Sequence, residues 1–85
     1  MIDKRLIFEL KCWFLKLGYF VGVSVHPKNE RVCFIRVMLN DGEKDIQEKL
    51  LAAFPFFNVQ ISTHIRETSR FIVLRCAMKG AEDVV

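Results

Sequence analysis

The sequence predicts an α+β fold: an αββαββ chain whose antiparallel four-stranded sheet carries both helices on one face. Three observations predict it. Apolar residues recur at helical steps in two segments, and each such segment is followed by two runs in which apolar and other residues alternate with period two. Hydrophobic residues make up 52% and charged residues 27% of 85 residues, which suits a packed core and excludes a disordered chain. So short a chain has no room for a second core, and residues 1–85 are read as one domain.

In the first segment, Asp3 to Leu17, the residues Leu6, Leu10, Trp13 and Leu17 recur at three- and four-residue steps, Ile7 and Phe14 widen the stripe, and Gly18 stops it. That helix has more apolar surface than one sheet face covers, which predicts a protein partner or a second copy against residues 3–17. Next, Tyr19 to Val25 places Val21, Val23 and Val25 in alternation. After His-Pro-Lys-Asn-Glu, Arg31 to Leu39 does the same with Cys33, Ile35, Val37 and Leu39, so the two runs read as a hairpin. Asn40-Asp41-Gly42-Glu43 offers a capping box ahead of Ile46, Leu50, Leu51 and Phe54, and Pro55 ends this second helix. Val59, Ile61, Thr63 and Ile65 alternate with polar residues, and a second hairpin returns through Phe71 to Met78. The chain therefore holds two αββ units, Asp3–Leu39 and Glu43–Met78.

With both helices on one face, the other face is left for water or a partner, and hairpin register predicts its composition. Pairing Ile65 with Arg70 turns Val59, Ile61, Thr63, Ile72, Leu74 and Cys76 toward the helices and Gln60, Ser62, His64, Phe71, Val73 and Arg75 away. In the first hairpin the outward set is Phe20, Gly22, Ser24, His26, Val32, Phe34, Arg36 and Met38. The net charge of +3 is modest, but its distribution is uneven. Segments 19–39 and 57–79 hold Lys28, Arg31, Arg36, Arg66, Arg70, Arg75 and Lys79 against Glu30 and Glu67, a balance of +5 that leaves −2 for the rest. A basic sheet layer backed by a neutral-to-acidic helical layer is the electrostatic outline of a nucleic-acid-binding sheet, with Phe34 and Phe71 as stacking candidates. An ordinary solvated face and an aromatic protein interface are the other readings; three outward phenylalanines weigh against the first.

Other chemistries find little support. Cys12, Cys33 and Cys76 are odd in number and widely spaced, so neither a disulfide framework nor a zinc site is expected. No metal or cofactor is predicted. The acids Asp41, Glu43, Asp45 and Glu48 read as a solvated face that offsets the helix dipole. The uncharged apolar stretch Leu17 to Val25 is about half the ~20 residues of a membrane span. Glu9 and Lys11 interrupt the apolar run that a secretory signal needs, which predicts an intracellular protein.

Several stretches carry a family resemblance: Trp13-Phe14-Leu15-Lys16-Leu17-Gly18-Tyr19-Phe20, the segment Asp45 to Phe57, and Asn58-Val59-Gln60-Ile61 with Arg70-Phe71-Ile72-Val73. Together with the αββαββ order, they resemble the LAGLIDADG homing endonucleases and maturases over residues ~8–80. The resemblance implies a saddle of antiparallel strands laid against nucleic acid, with Ser24, His26, Lys28, Arg36, Gln60, Ser62, His64, Arg66 and Arg75 as contacts. Aligning on Gly18 instead would bury Phe20 and turn Val21 and Val23 toward the ligand. The departures predict the loss of cleavage. The family's metal-holding acids correspond to Leu15 and Leu17, no carboxylate occurs between Glu9 and Glu30, and Cys12, Trp13 and Phe14 replace the small residues at which two motif helices meet. The chain ends at Val85, where the family begins another helix, with Gly80-Ala81-Glu82-Asp83 as its expected remnant. The resemblance thus implies a catalytically inactive binding protein, RNA favoured over DNA, maturase-like or ribosome-associated and in keeping with a mitochondrial location; the competing expectation is a half-site subunit of a split or heteromeric assembly.

Overall fold

A computed structural model describes residues 2–38, 45–66 and 69–80, with side chains described outside 63–70. The elements are α1 (Lys4–Lys16), β1 (Val21–His26), β2 (Asn29–Met38), α2 (Ile46–Ala53), β3 (Phe57–Arg66) and β4 (Ser69–Met78). All strand pairs are antiparallel and the sheet order is β1-β2-β4-β3, so the fold is α+β with an αββαββ chain. The second strand of each hairpin lies at the centre, and β1 and β3 form the edges. Among the described residues no helix is long and apolar enough to cross a membrane.

Both ends of α1 are defined by local chemistry. The Asp3 carboxylate accepts the Leu6 N–H at 2.9 Å, which satisfies one of the orphan donors of the first turn. At the other end Gly18 takes φ +90°, the Tyr19 N–H donates to the Phe14 carbonyl and the Gly18 N–H to the Leu15 carbonyl, each at 3.0 Å. These are the two bonds of a Schellman motif, and the Tyr19 ring packs 6.5 Å from Phe14 as its apolar contact. The same bonds move the start of β1 to Val21, two residues later than alternation predicts, and bury Tyr19 while Phe20 stays 79% exposed. The alternative alignment with Phe20 buried is therefore not adopted.

The helix-side face of the sheet follows the expected register. Val23, Ile35, Leu74 and Ile61 form one row across four strands, and Val25, Cys33, Cys76 and Val59 the next. Leu10 and Phe14 from α1 and Ile46 and Leu50 from α2 close the core over them. Each large side chain so buried contributes about 1.5–3 kcal/mol. Trp13 meets Phe14 and Phe54 edge-on at 4.8 and 5.9 Å, which ties α1 to the end of α2. The Gln47 amide donates to the Val59 carbonyl at 2.9 Å and so fastens α2 to edge strand β3. Ile61 shares the inward register yet is 43% exposed, because β3 is an edge and α2 spans only eight residues.

Cys33 and Cys76 face one another across β2 and β4, both buried. The two thiols share a hydrogen bond. That bond and then burial push Cys76 far above the ordinary thiol range.

The first hairpin is tighter than the five-residue loop expected. Pro27 and Lys28 make the turn, His26 pairs with Asn29, and the register shifts between Val25 and His26. Pro27 presets the turn geometry, His26 Nδ1 accepts the Lys28 N–H, and Asn29 Oδ1 accepts the Arg31 N–H, each at 3.0 Å. The Ile2 N–H donates to the Glu30 carbonyl at 2.8 Å in the irregular stretch. The Asn40–Glu43 capping box and the Gly80–Asp83 remnant beyond Gly80 lie outside the described residues; Asp45 caps α2 without a side-chain bond.

Candidate nucleic-acid interface

Two complete rows of side chains cross the face turned away from the helices. Ser24, Phe34, Arg75 and Gln60 are successive partners from edge to edge, and Gly22, Arg36, Val73 and Ser62 form the row beside them. The backbone register continues beside them through Met38, Phe71 and His64. None of these positions carries a carboxylate, so the two arginines give these rows a positive sign.

The two central strands meet about an approximate twofold axis at the Ile35–Leu74 pair. Arg36 pairs with Val73 and Phe34 with Arg75, so the axis exchanges Arg36 with Arg75 and Phe34 with Val73. The outer strands obey it too: Ser24 corresponds to Ser62 and Gly22 to Gln60. The repeat of the αββ unit thus places two arginines and two serines at equivalent positions on one face.

The candidate side chains fall into distinct groups. Ser24, Arg36, Gln60 and Ser62 are exposed within the rows, and Arg75 and Phe34 are half-buried there. Arg36 extends diagonally over Phe71, its guanidinium carbon 4.9 Å from the ring centroid. Phe71 is only 7% exposed, which corrects its assignment as a stacking surface: the ring seats the guanidinium and has little area left for a base. Val32, expected on the open face, is likewise buried opposite Ala77. His26 lies beyond the rows at the hairpin end, 5.9 Å from the Phe34 ring and tilted by 32°, with Nδ1 occupied by the turn.

Lys28 sits in that turn, and Arg31 in the irregular stretch after it, where Nη2 donates to the Lys79 carbonyl at 3.4 Å. These two belong to the end of the hairpin, away from the rows. His64 and Arg66 hold backbone positions in the outward series of β3, opposite Phe71 and Ser69, whereas Arg70, opposite Ile65, falls in the helix-side series. Their side chains lie outside the described set.

The pattern of residues did not point to the gap at Gly22. A cavity of about 280 Å³ opens there, lined by Gly22, Val23, Ser24, Phe34, Arg36 and Val73. An isolated glycine inside a strand of valines is the sequence signal that marks such a place. At the far end of α1, Leu15 and Leu17 are 59% and 43% exposed, and no three metal-ligating side chains converge among the described residues. Comparison of the chain with protein-family models, curated proteins and solved structures finds no significant match.

Proposed function

We propose that the open face of the sheet binds nucleic acid through its phosphates, that structured RNA is the preferred ligand, and that the protein does not cleave it. The observation that carries this reading is the pair of carboxylate-free rows with Arg36 and Arg75 at axis-related positions beside a partly exposed Phe34. Two guanidiniums fixed on a rigid sheet meet phosphates without reading sequence, and exposed serine and glutamine side chains add uncharged contacts. The resemblance to LAGLIDADG proteins supports the same surface, and leucines at the positions of that family's acids support binding without hydrolysis. A maturase-like or ribosome-associated role in an organelle accords with both. The test is titration of a structured RNA and a DNA duplex over a range of salt. Arg36→Ala with Arg75→Ala should weaken binding at every sequence and lower the log–log salt slope on duplex by about two. Unchanged affinity and slope would remove the sheet from consideration.

A second reading rests on a different surface. Phe8 and Leu15 stand two turns apart on one side of α1, 67% and 59% exposed, with half-buried Cys12 between them. That stripe favours a protein partner or a second copy on the helical layer, as in a half-site subunit of a larger assembly. It leaves the sheet face open and is compatible with the first reading.

A further inference from the structure

The notch at Gly22 has features that phosphate binding leaves unused. We propose that it receives one unstacked nucleobase, with the adjoining phosphate on Arg36; this rests on the nucleic-acid reading of the same face. The volume of about 280 Å³ lies just below the roughly 300–1,000 Å³ of pockets for drug-sized ligands, so it suits a one- or two-ring group. Its walls differ in chemistry. Phe34 supplies an aromatic surface, Val73 an apolar floor, Ser24 a hydroxyl and Arg36 a cation, with no carboxylate among them.

Val23 has its side chain in the helix-side register, so it lines the notch through its backbone. It lies on edge strand β1, where half of the backbone N–H and C=O groups have no neighbouring strand to pair with. A base held there stacks on one side and meets hydrogen-bonding groups at its rim. Arg36 is already seated over Phe71, so its position is set before a ligand arrives.

The approximate twofold axis sharpens the assignment. Its operation replaces Gly22 by Gln60, which fills the gap, and exchanges the wall Phe34 with the floor Val73. The notch therefore exists on one side of an otherwise repeated face. A strand bound across both arginines would have a preferred direction, its extruded base on the β1 side.

Filling the notch tests this with little risk to the fold. A Cβ at Gly22 meets nothing within 4 Å, so Gly22→Leu enters the notch without a clash at its first carbon. The probes are a single-stranded oligoribonucleotide, the same strand made abasic throughout, and the corresponding duplex. The parent should bind the intact single strand about tenfold more tightly than the abasic one. Gly22→Leu should erase that difference and leave duplex binding unchanged. If Gly22→Leu keeps the full preference for the intact strand, the notch is not a base pocket although the face still binds. If the parent binds none of the three, the reading of the face itself fails and the notch falls with it.

Discussion

Arg36 shows how much of this surface depends on single side chains. Its partner across the strands is Val73, yet its guanidinium rests on Phe71, a diagonal neighbour two residues away. If that ring orients the cation, Phe71→Leu should weaken RNA binding by about 0.5–1 kcal/mol while leaving the salt slope as it is, because the charge remains. Arg36→Ala should lower both. Phe34→Ala should cost about 1–3 kcal/mol on single strands and loops and little on duplex, measured by competition between the two. Strand alternation was enough to place Ser24, Arg36, Gln60 and Arg75 on one face. The diagonal contact that buries Phe71 was hidden, because it depends on how a long side chain turns after the strands have paired. The facing of Cys33 and Cys76 was hidden too, since it requires the order of strands and not their pattern. With Cys76 pushed up and both thiols buried, only Cys12 should react with a thiol reagent in the folded protein, even at a pH near the ordinary thiol value of about 8.5. Counting modified thiols per chain before and after unfolding checks this.

Among the elements, α1 is the one whose boundaries the sequence announces most clearly, and both rest on one residue each. Gly18 at φ +90° has open space around it, so the cost of Gly18→Ala is that of the backbone alone, about 1–2 kcal/mol. For a chain of this size that lowers Tm by roughly 4–8 °C for each kcal/mol. Asp3→Ala should cost about 1 kcal/mol through the lost cap. Thermal unfolding of the two variants against the parent measures both. The same Schellman motif explains why β1 starts later than alternation predicts. Tyr19 fits the alternating pattern, but its N–H is already committed to the Phe14 carbonyl. At the first hairpin proline and asparagine, both turn formers, predict a longer loop; side-chain bonds from His26 and Asn29 compress it to two residues.

For the whole molecule, the decisive contrast is between a helical layer with exposed leucine and phenylalanine and a sheet layer with exposed arginine. Parent protein should sediment faster than a monomer of 9.9 kDa, and Phe8→Glu with Leu15→Glu should restore monomer behaviour without altering RNA affinity. A monomeric parent at every concentration would retire the helical-layer reading. Incubation of RNA or DNA with Mg²⁺ or Mn²⁺ should leave the nucleic acid intact; cutting that tracks with the pure protein would contradict the assignment of Leu15 and Leu17.

The seam between β2 and β4 has a consequence for the chain as a polymer. Each αββ unit ends in an inner strand that stays half-paired until the other unit arrives, so neither unit is a finished sheet. A gene divided between residues 39 and 45 would encode two fragments, each displaying a naked strand centred on Ile35 or Leu74. Mixed, they should reassemble into the parent fold. Alone, the first fragment should dimerise with itself, Ile35 against Ile35, and so carry two copies of the Gly22 gap where the intact chain carries one.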